Sequence, residues 1–184
     1  DSFYAYDGTP GRLESQAIRD GSEIRFGRCA ARVQHTPGHT EGSVTYLVDD
    51  EIALTGDFLF VGSIGRPDLA GKTAEWTGQL WESVERARRE WPPSLRIYPA
   101  HYGGDAERNA DRSVGAPFGQ LLQANPSLQF STREPFAAWV ESKNASFPEA
   151  YKRIKAVNVA LVDVTDEEAE ELEIGRNECA LGGR

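Results

Sequence analysis

His35-Thr36-Pro37-Gly38-His39-Thr40-Glu41-Gly42-Ser43 is the stretch on which the fold turns. Two histidines flank a Pro-Gly pair. Pro37 has no N–H to give a strand ladder and Gly38 favours a turn, so a strand arriving here must stop. Upstream, Glu23–Phe26 and 29–34 read as short strands around the turn Gly27-Arg28. Downstream, 43–48 and 51–55 read as two strands across Asp49-Asp50, a hairpin signal. The histidine loop is thus flanked by strands on both sides.

Farther along, 58–72 is a Gly/Pro-punctuated loop with no period, and loops of that length inside compact domains are commonly functional. Leu80, Val84, Ala87 and Trp91 recur at helical spacing and predict a helix over 75–91, stopped by Pro92-Pro93. A short buried-type strand is expected over 95–98, followed by the loop Pro99-Ala100-His101-Tyr102-Gly103-Gly104. The last third reads as helical. Ser131 with Glu134 and Thr165 with Glu168 have capping-box spacing. Pro148 suits a first turn, and Gly175 suits a stop. Strands, a helix, another strand and further helices predict a mixed α/β layered fold. We read 1–184 as one partial domain: an irregular lead-in over 1–22, a part with strands, loops and a helix over 23–104, and a mainly helical part over 105–184.

Composition narrows the function. The 184 residues hold 20 basic and 29 acidic side chains, a net charge of −9. That sign repels phosphate and argues against nucleic-acid binding. Much of it belongs to one expected helix, which carries Asp166, Glu167, Glu168, Glu170, Glu171 and Glu173 with its early carboxylates suited to the N-terminal dipole. No run approaches the ~18 apolar residues that span a bilayer. Two cysteines, Cys29 and Cys179, are too few for a disulfide framework or a cysteine-rich zinc site. With no signal-peptide pattern, a cytoplasmic location is expected.

Three strand ends present groups that could share a metal: His39, Asp57 after Thr55-Gly56, and His101. Imidazole and carboxylate together suit a first-row divalent ion. Each also has a plainer reading, a hydrogen-bonded loop histidine or an aspartate in a turn. His35 is read as a group behind the ligands, orienting His39 or a substrate, or as a satisfied polar residue. Cys29 reads as a small core residue, Cys179 as an accessible thiol with no activating partner, and Trp76, Trp81, Trp91 and Trp139 as packing residues.

The histidine stretch, then Thr55-Gly56-Asp57, Gly65-Arg66-Pro67-Asp68 and Tyr98-Pro99-Ala100-His101, in this order, resembles the metallo-β-lactamase superfamily. The likeness is to its persulfide dioxygenase and glyoxalase II-like branch, with the Gly-Arg-x-Asp element pointing to the dioxygenase side. The resemblance implies an αββα sandwich, represented here by its second half plus the end of the first. It implies that His39 and Asp57 are two of three ligands to one Fe(II) per chain, and that His101 ligates only where a second metal is bound. It places Arg66 and Asp68 at the substrate, where Arg66 either pairs with a carboxylate of glutathione or orders the loop through Asp68. Tyr102, next to His101, reads either as a residue that meets the substrate or as a loop tyrosine covering a sheet edge. The implied reaction is oxidation of glutathione persulfide, or a similar small persulfide, by O2 to sulfite and thiol. The alternatives are a glyoxalase II-like thioester hydrolase with one or two Zn(II), and a non-catalytic remnant or interaction module. A homo-oligomer and a sulfurtransferase partner also accord with the resemblance. The family's His-x-His-x-Asp-His motif is absent from this sequence, and only 38 residues precede His39. With three histidines, no methionine and a chain opening on Asp1, the expectation is that the native protein is longer and that this chain alone is inactive.

Overall fold

In a computed structural model, the structure describes residues 2–4, 9–10, 16–68, 71–143 and 150–174. Cys179 and the proposed helix signals Pro148 and Gly175 lie outside them. The chain divides into two compact units, one built on Ile18–Asn144, the other on Asp1–Ala17 and Ala145–Glu178.

The second unit pairs β1 (Ser2–Tyr4) antiparallel with β2 (Thr9–Pro10) and carries two later helices. Of these, the Ala150–Asn158 helix offers Arg153, which binds Glu168 on the Asp166–Ile174 helix at 2.5 Å. Thr165 Oγ1 accepts from the Glu168 amide at 3.2 Å, as the capping-box spacing predicts.

The larger unit holds a six-stranded sheet: β3 (Glu23–Phe26), β4 (Cys29–His35), β5 (Val44–Val48), β6 (Ile52–Gly56), β7 (Arg96–Pro99) and β8 (Ala116–Pro117). Neighbours follow chain order, and only β6–β7 is parallel. A parallel pair needs a crossover, supplied here by helix α1 (Thr73–Glu90). The three-residue β5–β6 connection turns on Asp49 and Asp50, both at positive φ (50° and 56°), and the Glu51 amide donates to the Val48 carbonyl at 3.0 Å. The remaining helices of this unit are α2 (Phe118–Ala124) and α3 (Arg133–Ser142).

Strand register explains the core. Leu47, Ala53, Ile97 and Ala116 are partners across β5–β8 and share one face. They pack into one cluster with Leu80, Val84 and Trp91 of and beside α1 and with Phe136 and Val140 of α3. Fully burying side chains of this size contributes roughly 1.5–3 kcal/mol each. Three of the four tryptophans are buried, and Trp139 packs on the same cluster, as helical spacing predicts.

Local differences from the expectations have local causes. α1 begins two residues early, at Thr73. α3 is capped at Thr132 rather than Ser131 and makes no side-chain cap bond there, so the Ser131–Glu134 capping box does not form. Cys29 is not a core residue: it is half-buried at the start of β4, facing Asp49, whose carboxylate raises its thiol pKa. Within the long loop, 58–64 folds back on itself through an antiparallel Leu59–Ile64 bridge, so it is ordered by backbone pairing that no side-chain period reveals.

Candidate metal centre

The 36–43 loop leaves β4 and is closed by the Thr36 amide donating to the Ser43 carbonyl at 2.9 Å. Gly38 adopts φ 136°, and a Cβ there would stand 2.5 Å from Leu80 Cα. The loop can therefore lie directly on α1 only because residue 38 is glycine. Ser83 of α1 adds a bond from Oγ to the Pro37 carbonyl at 2.7 Å. Pinned this way, the loop delivers His39 into the interior, 6% exposed.

His39 Nδ1 lies 2.9 Å from the Arg66 carbonyl. A carbonyl can only accept, so Nδ1 carries the proton and Nε2 keeps its lone pair. That lone pair faces Asp57 Oδ2 at 3.5 Å. Burial lowers the His39 pKa more than the Asp57 charge raises it, so the ring is neutral. Two electron-pair donors facing each other, with the other ring nitrogen held by a backbone carbonyl, is the arrangement of a metal-ligating histidine.

Asp57 follows β6, where Gly56 turns the chain at φ 53°. Its second oxygen, Oδ1, accepts from His101 Nδ1 at 2.5 Å. His101 comes from the loop after β7, and the Ala100 amide ties that loop to the Gly56 carbonyl at 3.0 Å. The Asp57 hydrogen bond raises the His101 pKa against partial burial. The ring also stands edge-on to Phe60, 6.4 Å between centroids.

Gly65 closes the site from below. A Cβ at this position would lie 1.9 Å from the Asp57 carbonyl oxygen and 2.9 Å from His39 Cβ, so only glycine lets the loop pass. The next residue, Arg66, is 2% exposed. Its Nε and Nη2 each bond Asp68 at 2.6 Å in a bidentate fork. Side chain and backbone of Arg66 thus act together: the fork fixes the loop, and the carbonyl orients His39.

Of the sequence-derived site residues, His39, Asp57, Arg66, Asp68 and His101 converge. Tyr102 lies on the exposed side, 43% accessible, its hydroxyl bonded to Arg108 and its ring 5.1 Å from that guanidinium. His35 is exposed: Nε2 donates to the Glu41 carbonyl at 2.7 Å, and its amide donates to Asp20. Gly65 entered the sequence reading only as a motif position. Asn125 did not enter it at all, since its role depends on a contact 62 to 65 residues away in sequence.

The donor chemistry of His39 and Asp57 fits two positions of a metal. Among the described residues, however, no group of three or more His, Cys, Asp or Glu side chains is placed to hold one. No helix among them is long and apolar enough to cross a membrane.

No family model matches the chain. It is 31% identical, over 70% of its length, to the probable polyketide biosynthesis zinc-dependent hydrolase BaeB of Bacillus velezensis, and covers 52% of that protein. It is 41% identical over 85 residues to the mitochondrial persulfide dioxygenase ETHE1 of Homo sapiens, a match spanning 46% of this chain and 32% of that one. The chain therefore spans about half or less of the length of these curated relatives, both of which are enzymes. Among solved structures, a metallo-beta-lactamase from Staphylococcus aureus superposes with a TM-score of 0.71 at 26% identity, over 82% of this chain and 46% of that one.

Proposed function

This chain belongs to the metallo-β-lactamase superfamily, and from that premise we propose that the intact protein is an iron-dependent persulfide dioxygenase. Its substrates would be O2 and glutathione persulfide or a similar small thiol persulfide, its products sulfite and thiol. The carrying observation is the Gly65–Arg66–Pro67–Asp68 element packed against both His39 and Asp57. That element marks the dioxygenase side of the resemblance, and here it sets the His39 tautomer.

His39 Nε2 and Asp57 Oδ2 would hold the metal, completed by a ligand beyond the described residues. Bound iron would supply the one-electron chemistry with oxygen that amino-acid side chains lack. The rest falls to the protein. The Arg66 carbonyl keeps His39 neutral and oriented. The Arg66–Asp68 fork holds the wall beneath the substrate in one conformation. His101 holds a proton at its contact with Asp57, on the exposed side of the site. Tyr102, beside His101 and stacked with Arg108, is where the thiol carrier would lie.

A second reading, a zinc-dependent glyoxalase II-like thioester hydrolase, is favoured by one observation. Asp57 touches both His39 and His101, as a carboxylate shared by two metals would. The BaeB likeness points the same way. Anaerobic loading of the full-length protein with ferrous iron, followed by oxygen uptake on adding glutathione persulfide, tests the first reading. Absence of uptake by the iron-loaded protein would sink it, and thioester hydrolysis with two zinc ions bound would establish the second.

A further inference from the structure

Asn125 is completely buried at the end of α2, held extended (φ −78°, ψ 118°) ahead of Pro126. Its Oδ1 accepts from the Ser127 amide at 2.9 Å and the Ser127 hydroxyl at 2.6 Å. The backbone donor at Ser127 fixes which end of the amide is oxygen. Nδ2 therefore points the other way, toward three carbonyls: Phe60 at 3.0 Å, Val61 at 3.2 Å and Ser63 at 2.9 Å. One side chain satisfies the turn between Leu59 and Ile64.

That turn stands between the two halves of the candidate centre. At its start the Phe58 amide bonds the Thr55 carbonyl, one residue before Gly56-Asp57. At its end the Gly65 amide bonds the Phe58 carbonyl at 3.2 Å, and Arg66 follows with the carbonyl that receives His39 Nδ1–H. Gly65 is wedged between the Asp57 backbone and His39, with no room for a methyl group. A displacement of the turn must therefore pass to Gly65 and then to the Arg66 carbonyl.

We propose that Asn125 is a positioning residue of the metal centre: by clamping the 60–63 turn it fixes the Arg66 carbonyl and so keeps the His39 Nε2 lone pair aimed at the metal position. The inference rests on the metal reading of His39 and Asp57. Its reach is to a residue that touches neither metal nor substrate.

The test uses the full-length protein with Asn125→Asp, which preserves shape and acceptor role but sets a second carboxylate oxygen against three carbonyls. Val140→Ala, buried in α3, serves as a control for lost stability alone. Two quantities are read: the tautomer of His39 by 15N NMR of the metal-free protein, and Zn(II) affinity by chelator competition. Asn125→Asp should weaken Zn(II) binding by about 10-fold or more, the usual cost of losing support behind a ligand. It should also populate the Nε2–H tautomer of His39. Val140→Ala should leave both unchanged in the folded fraction. Ser127→Ala, which loses only the hydroxyl bond to Oδ1, should move both readouts the same way by less, and it decides the matter if Asn125→Asp does not fold. The inference is overturned if Asn125→Asp and Ser127→Ala behave like Val140→Ala. A wild-type protein that binds no Zn(II) would instead overturn the metal reading, leaving the tautomer to judge Asn125.

Discussion

His39 and His101 meet the same carboxylate from opposite sides, in opposite environments. His39 is 6% exposed, its Nδ1–H is held by a backbone carbonyl, and burial lowers its pKa. The His101 side chain is 41% exposed, donates directly to Asp57, and has a raised pKa. The difference shows what each is built for. A neutral imidazole with a free lone pair is a ligand whether or not the metal has arrived. An imidazole paired with a carboxylate is a proton holder that becomes a ligand only by giving up its bond. The supports differ in kind as well. The His39 loop is fixed by a glycine on α1, a serine bond and a buried ion pair, whereas the His101 loop leads out to Tyr102 and Arg108 at the surface.

The largest test of this contrast is Asp68→Ala. It removes the two charge-assisted hydrogen bonds that Asp68 makes to the buried Arg66 guanidinium, each worth about 1.5–3 kcal/mol. Urea unfolding should show that loss, and the NMR environment of His39 should change far more than that of His101. Gly65→Ala comes next. Its methyl group must displace the Asp57 backbone or His39, and overpacking of this sort costs roughly 1–3 kcal/mol. Gly42→Ala, on the same side of the site but facing open space, is the matching control for the unfolding experiment.

The two histidines should also bend the stability of the metal-free chain in opposite directions with pH. For His39, the folded pKa lies below the ordinary 6.5, so its contribution is complete above that value and lost as pH falls through the depressed one. For His101, the folded pKa lies above 6.5, so its contribution is complete below that value and lost as pH rises through the raised one. Urea midpoints across the histidine range should therefore fall on both sides. His101→Gln should abolish the alkaline fall and leave the acid one. At the small end, Tyr102→Phe should change stability by no more than about 0.5 kcal/mol, because that hydroxyl is exposed. A larger loss would mean that the His101 side of the site is as tightly built as the His39 side.

Much of this was legible in the sequence because it is written in local chemistry. Pro37-Gly38, Asp49-Asp50 and Pro92-Pro93 mark turns and stops by their own backbone preferences, and the spacing of Leu80, Val84 and Ala87 marks a buried helix face. The three strand-end groups His39, Asp57 and His101 came from the same reading, and the structure brings them together. What stayed hidden depends on contacts distant in sequence. Nothing near Asn125 signals three carbonyls more than sixty residues upstream. Nor does anything around Gly65 announce that its missing Cβ leaves space for Asp57 and His39. His35 shares a motif with His39, yet it is exposed at the end of β4 and bonds the Glu41 carbonyl, a contact that the motif alone does not announce.

The most direct measurement is the identity and stoichiometry of the metal in the intact protein, with His39→Ala and His101→Ala alongside. The account predicts one iron per chain, lost in His39→Ala and retained in His101→Ala. Two zinc ions per chain, one of them lost with His101, would contradict it.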